Sequence, residues 1–178
     1  YISNAKDNEI NSVINFLVPI GSSKKLIRIG GKYDGAYIVP DDLKNIEACF
    51  SPGTSNKCYF EEQLAKEYKI KSFLSDASVD KNALNLLDSY DIFQKKWIND
   101  FNDKTTITLS SWIENSNLSN SKNLMLQMDI EGSEYNTLLN TSSTCLSQFR
   151  IMVIEFHGLD RLKNERFLNQ TFTPVMER

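Results

Sequence analysis

Three carboxylates fall within six residues at Asp129, Glu131 and Glu134, directly after the apolar run Leu124-Met125-Leu126. Such a run reads as a buried strand. Asp129 is therefore expected at the edge of a sheet, where partial burial raises a carboxyl group toward the range useful for a base. Glu131 and Glu134 also fit a plainer role, as first-turn acids favoured by a helix dipole. A second apolar run, from Ile151, carries Glu155 and ends at His157, the single histidine of the chain. Two residues apart on a continuing strand, those side chains point to one side. His157 reads equally as a base and as a structural hydrogen-bonding residue. Asp129, Glu131, Glu155 and His157 also form an oxygen-rich donor set with one imidazole, which suits Mg²⁺ or Mn²⁺, but their spacing does not demand a metal and none is assigned.

Other candidates sit where strand-like runs end. Ser51-Pro52-Gly53-Thr54-Ser55-Asn56 is a turn leading to a helix marked by Tyr59, Phe60, Leu64 and Tyr68 on one face. The free N–H groups at that helix start can hold a polar group of a cofactor. A plain strand-to-helix turn is an equal reading. Neither G-x-G-x-x-G nor a P-loop is present, so dinucleotide and nucleotide-triphosphate readings lose support. Asp76 ends the run from Lys71, placed either to accept ribose hydroxyls or to cap the next helix. Arg28, Lys32 and Asp34 flank or occupy the loop Gly30–Gly35, as polar contacts for an acceptor or as parts of a tight turn.

The elements that must position these groups alternate. Ile10, Val13, Ile14, Leu17 and Val18 give residues 5–18 one apolar helical face, ended by Pro19. Leu26–Ile29 and Ala36–Val39 read as a hairpin. Strands then follow at 47–50, 71–76, 105–109, 124–130 and 150–156. Helices are expected from Tyr59, around Ala83, Leu84 and Leu87, at Trp112-Ile113, from Tyr135 and from about Asp160, with a further, poorly defined strand between Ile92 and Ile107. This pattern predicts an α/β fold, a mostly parallel sheet flanked by helices. In such a sheet, ligands bind beyond the carboxyl ends of the strands. The expected division is an N-terminal helix and hairpin over residues 1–45 and a main domain over 46–178.

Composition narrows the classes. With 178 residues, 20 basic and 23 acidic side chains and a net charge of −3, the chain lacks the clustered positive field that phosphate backbones require. Nucleic acid is therefore disfavoured as a partner. No apolar stretch approaches the ~20 residues of a membrane span. Cys49, Cys58 and Cys145 form no C-x-x-C pair, which fits a reducing cytoplasm.

Taken together, Phe50-Ser51-Pro52-Gly53-Thr54-Ser55-Asn56, Phe60-Glu61, Asp76 and above all Gln127-Met128-Asp129-Ile130-Glu131-Gly132-Ser133-Glu134-Tyr135 resemble the FkbM-type S-adenosylmethionine-dependent methyltransferases. Arg28 to Tyr37 and Val153 to Leu159 support the match. The resemblance implies a Rossmann-like methyltransferase fold, S-adenosylmethionine as cofactor, and methyl transfer to a hydroxyl of a sugar or other small acceptor. By position, Ser51, Gly53, Thr54 and Ser55 would form the methionine-side turn and Asp76 would hold the ribose. Asp129 and Glu131 would line the junction of cofactor and acceptor, facing His157. The base is then His157 or Asp129, with Glu131 orienting the acceptor. A non-catalytic module of the same fold and a nicotinamide-dependent sugar oxidoreductase are the alternatives. Because such sheets normally end in two further strands, the chain is expected to continue past Arg178 by roughly several tens of residues.

Overall fold

The structure, a computed structural model, describes residues 3–32, 34–87 and 89–178. Tyr33, inside the expected loop Gly30–Gly35, lies outside the described residues, as does Asp88. α1 (Asp7–Ile14) begins where Glu9 accepts the Lys6 backbone N–H and runs on into a 3-10 turn, Asn15–Leu17. β1 (Leu26–Ile29) and β2 (Tyr37–Pro40) pair antiparallel, the hairpin expected from the glycines between them.

The main sheet is built from β3 (Ala48–Pro52), β4 (Lys71–Ser75), β5 (Asp91–Gln94), β8 (Leu124–Met128) and β9 (Phe149–Ile154) in the order β5-β4-β3-β8-β9. All four pairings are parallel. The poorly defined strand is thus β5, an edge strand. The chain works outward from β3 to β5, then returns to lay β8 on the other side of β3. That reversal creates a switch point between the tips of β3 and β8, where open α/β sheets bind ligands.

Consecutive residues of the central strands enter different cores, because side chains alternate across a sheet. Ala48, Phe50, Leu124, Leu126 and Met128 pack with Trp112 and Ile113 of α3 (Leu109–Asn115). Cys49 and Met125 pack with Ile29 and Val39 of the hairpin and with Phe60 of α2 (Tyr59–Gln63). Phe50 is the aromatic hub of the first core, stacked on Phe73 at 5.0 Å and edge-on to Trp112 at 5.0 Å. A third core joins Tyr135 and Leu138 of α4 (Glu134–Asn140) to the C-terminal segment Phe167, Leu168, Phe172 and Val175, with Val13 of α1 against it.

Two expected elements differ. The helix around Ala83, Leu84 and Leu87 is a single 3-10 turn, Lys81–Ala83, capped by Asp80. None of Ala83, Leu84, Leu86 and Leu87 is fully buried, so no apolar stripe exists to hold a longer helix, most of whose stability comes from packing. The strand expected over 105–109 shrinks to β7 (Thr106–Ile107), paired with β6 (Trp97–Ile98) in a separate two-stranded ribbon. Thr108 accepts the Ser111 N–H and so starts α3, which takes Leu109 out of the strand.

Under the tip of β3 lies a buried polar plug. The Ser51 hydroxyl contacts side-chain oxygens of both Glu61 and Gln127, and all three residues are buried. One hydroxyl has one proton to donate, so a second proton has to come from a neutral Glu61 carboxyl or from the Gln127 amide turned to donate its Nε2–H. Burial pushes the Glu61 carboxyl up, against the Ser51 hydrogen bond, which pulls it down. A carboxyl group raised in the fold favours its neutral form there. Its contribution is complete below the unfolded value of about 4.3 and is lost as pH rises through the folded value. Wild type is therefore expected to lose stability relative to Glu61→Gln as pH rises from about 4 toward neutrality. Urea denaturation across that range checks this, and parallel stability curves would refute it.

Candidate active site at the tips of the central strands

Gly53 follows β3 with φ +79°, and an added Cβ there would lie 1.5 Å from the Asp129 carbonyl oxygen. The tips of β3 and β8 approach this closely because the sheet stays paired to its end. Asp129 donates its N–H to Pro52 O at 3.2 Å and Gly53 donates to Ser75 O at 3.0 Å. On the next strand tip, Asp76 is 7% exposed. Its Oδ2 accepts the Thr54 N–H at 3.1 Å, and its Oδ1 accepts the Ser78 N–H and hydroxyl, each at 2.7 Å. Asp76 thus ties two turns together, and a carboxylate's four lone-pair sites still leave it capacity for a ligand.

Two cavities meet at this tip. The wider, about 400 Å³, is lined by Gly53, Ser75, Asp76, Trp97, Phe101 and Asp129, with Asn99, Thr106 and Glu131 among the remaining wall residues. The narrower, about 60 Å³, includes Asp34, Tyr37, Thr54, Ser55, Glu61 and Asp129 in its wall. Gly53 and Asp129 belong to both.

Behind Asp129 the expected carboxylates converge on the imidazole. His157 Nε2 lies 3.7 Å from Asp129 Oδ1, 3.5 Å from Glu131 Oε2 and 4.0 Å from Glu155 Oε1. Its Nδ1 lies 2.9 Å from Glu134 Oε1. The Tyr37 hydroxyl faces Asp129 Oδ2 at 3.0 Å and Glu155 Oε2 at 3.3 Å. Burial pushes the Asp129 carboxyl above the usual range, opposed by the Tyr37 hydrogen bond and reinforced by the charge of Glu155. Burial pulls His157 down, but its bond to Glu134 and the charges of Glu134, Glu131 and Asp129 outweigh this and hold it above the ordinary imidazole range. Tyr37 is pushed far above a phenol's usual value by burial and by Asp129, so it is a proton donor here.

The first-turn reading of Glu131 does not hold. Glu131 and Gly132 are left-handed, at φ 54° and 103°, and α4 begins only at Glu134. The Glu131 side chain is 86% exposed and overhangs the wider cavity. Ser55 and Asp34 line the narrower cavity, whereas the Ser51 side chain is turned inward into the polar plug. Arg28 folds onto its own turn, donating from Nε to Gly31 O at 2.8 Å. Lys32 lines a separate groove with Tyr59, Glu62 and Lys66. Among the described residues, Asp129, Glu134 and His157 hold potential donor atoms within 4.8 Å of one another, near enough to gather on a divalent cation. The Glu134–His157 edge is closed by a hydrogen bond.

Sequence reasoning did not single out Tyr37, Trp97, Asn99 or Phe101. Tyr37 reads in the sequence as a strand residue and as the end of the supporting match from Arg28, and the aromatics lie in the stretch between Ile92 and Ile107 whose strand is poorly defined.

A family model described as the methyltransferase FkbM domain matches residues 37–171. No curated protein and no solved structure matches the chain. No helix among the described residues is long and apolar enough to cross a membrane.

The contact at Gly53 leaves no room for a side chain. Gly53→Ala is expected to cost at least about 2–4 kcal/mol through strain and displaced backbone. Gly31→Ala, also at positive φ but with nothing near its Cβ, should cost only about 1 kcal/mol. Chemical denaturation of the two variants measures the difference, and equal losses would contradict the packing argument.

Proposed function

The chain belongs to the FkbM methyltransferase family, and on that premise we propose that it transfers a methyl group from S-adenosylmethionine to a hydroxyl of a sugar or other small acceptor. The observation that carries this reading is that Asp129 belongs to the walls of both cavities, so one carboxylate faces whatever occupies either side.

The wider cavity fits the cofactor in size, since ligand sites typically run about 300–1,000 Å³, and its wall offers both aromatic rings and polar groups. Asp76 would accept ribose hydroxyls, and Trp97 and Phe101, each about half exposed on the cavity wall, would stack on the base. Gly53, shared by both cavities, would border the methionine portion where it passes toward Thr54 and Ser55 in the narrower one, with the Ser51 backbone behind them. When bound, S-adenosylmethionine supplies an activated methyl group on a sulfonium, so the protein mainly aligns the acceptor.

A sugar hydroxyl is a weak nucleophile near neutral pH and has to lose its proton. Asp129 is the base in this reading, its basicity raised by burial. His157, its affinity for a proton raised by the carboxylates around it, is placed beside it to balance their charge. His157 lines neither cavity and is placed behind Asp129 as its partner. Exposed Glu131, on the rim of the wider cavity, would orient an acceptor reaching over that rim to Asp129, with Asp34 across Asp129 in the wall of the narrower cavity. Arg28 and Lys32 serve only an acceptor long enough to reach the hairpin.

S-adenosylmethionine is expected to raise the melting temperature while NAD does not, because a ligand stabilises only the state it binds. Asp76→Asn should reduce that shift. With a sugar acceptor identified by screening, Asp129→Asn should slow single-turnover methyl transfer by about 10²–10⁴-fold. Stabilisation by NAD alone would favour the oxidoreductase reading. Cofactor binding without transfer to any acceptor would favour a non-catalytic module. Near-normal rates in both Asp129→Asn and His157→Ala would remove this base assignment.

A further inference from the structure

The first residue of α4 has no role in the mechanism above, yet it is the most buried carboxylate of the cluster. Glu134 is 0% exposed. Its Oε1 accepts the backbone N–H groups of Ile130 and Gly132, each at 3.1 Å, and lies 2.9 Å from His157 Nδ1. We propose that Glu134 is a positioning residue for His157: it fixes the imidazole with its proton on Nδ1 and so turns Nε2 toward Asp129, Glu131 and Glu155.

An oxygen that already receives two backbone N–H groups offers only lone pairs to a third partner. A close contact with Nδ1 is then favourable only if Nδ1 carries the hydrogen. The neighbouring residue completes the grip. Tyr135 donates its hydroxyl to the His157 carbonyl at 3.0 Å. Two successive residues of α4 therefore hold the ring and the backbone of one histidine.

With Nδ1 committed, Nε2 is the atom that exchanges a proton with the site. The groups facing it are Asp129 from the tip of β8, Glu131 from the left-handed turn, and Glu155 just beyond β9. Tyr37 of β2 approaches two of those carboxylates. A bare lone pair on Nε2 would face three carboxylates, whereas a protonated Nε2 faces them as a cation. The raised affinity of His157 for its proton agrees with this arrangement. The consequence for turnover rests on the methyltransferase mechanism proposed above; the tautomer does not.

The chain has one histidine, so long-range ¹H–¹⁵N correlation on uniformly labelled protein reads this ring alone, without any acceptor in hand. In wild type, the neutral ring is expected to carry its proton on Nδ1. In Glu134→Gln, which keeps an oxygen for the two backbone donors, the titration midpoint should fall by about one pH unit or more, since a contacting negative charge has been removed. In Glu134→Ala the neutral ring should become a mixture of both tautomers. In the methyl-transfer assay, Glu134→Gln should lower kcat while leaving the melting shift given by S-adenosylmethionine intact. A neutral wild-type ring protonated on Nε2 would overturn the proposal. So would a midpoint and tautomer unchanged in the variants. The wild-type spectrum decides the tautomer even if neither variant folds. A fixed tautomer in a protein that ignores S-adenosylmethionine would remove the proposed function and leave this inference standing.

Discussion

The tips of β3 and β8 can meet only because residue 53 has no side chain. A Cβ there would occupy the space of the Asp129 carbonyl. The contact brings Asp129 to the centre of the switch point instead of leaving it on a separate loop, and it keeps the strands hydrogen-bonded to their ends. From there Thr54 reaches Asp76 on the next strand tip, and the left-handed pair Glu131-Gly132 turns the chain back toward α4. The geometry of the site is therefore set by backbone packing, with side chains added to a frame that is already closed.

Beneath that frame, the polar plug of Ser51, Glu61 and Gln127 replaces hydrophobic packing where the second core reaches the site. A buried hydrogen-bonded group restricts the rotamers of its members, and that favours one arrangement of the strand ends over near alternatives. The cost is sensitivity to protonation in a region otherwise held by aromatic and aliphatic contacts such as those of Phe50.

Much of the fold was legible because two periodicities dominate this chain. Near-continuous apolar runs at 124–128 and from Ile151 mark strands buried on both faces, and the spacing of Tyr59, Phe60, Leu64 and Tyr68 marks a covering helix. The convergence of Asp129, Glu131, Glu155 and His157 followed from their places at strand ends. Ala83, Leu84 and Leu87 misled because helical spacing says nothing about whether a surface exists to bury them. Tyr37 was hidden because the approach of a hairpin to a sheet is tertiary information. Glu134 was read by its most local signal, a first-turn acid, while its buried bond to a histidine 23 positions away leaves no periodic trace. Trp97 and Phe101 fall in an irregular ribbon whose residues are placed by the sheet beside them.

The two cavities share a wall that includes Gly53 and Asp129. A molecule in one of them changes the field and the solvation of a carboxylate that the other also sees. Linkage then applies: any factor by which an occupant of the wide cavity changes affinity in the narrow one is returned in the opposite direction by the same factor. Coupling of this kind needs no moving domain, because the conduit is one side chain at a sheet tip. Two occupants of these cavities would be coupled through Asp129 by the same factor whichever of them bound first.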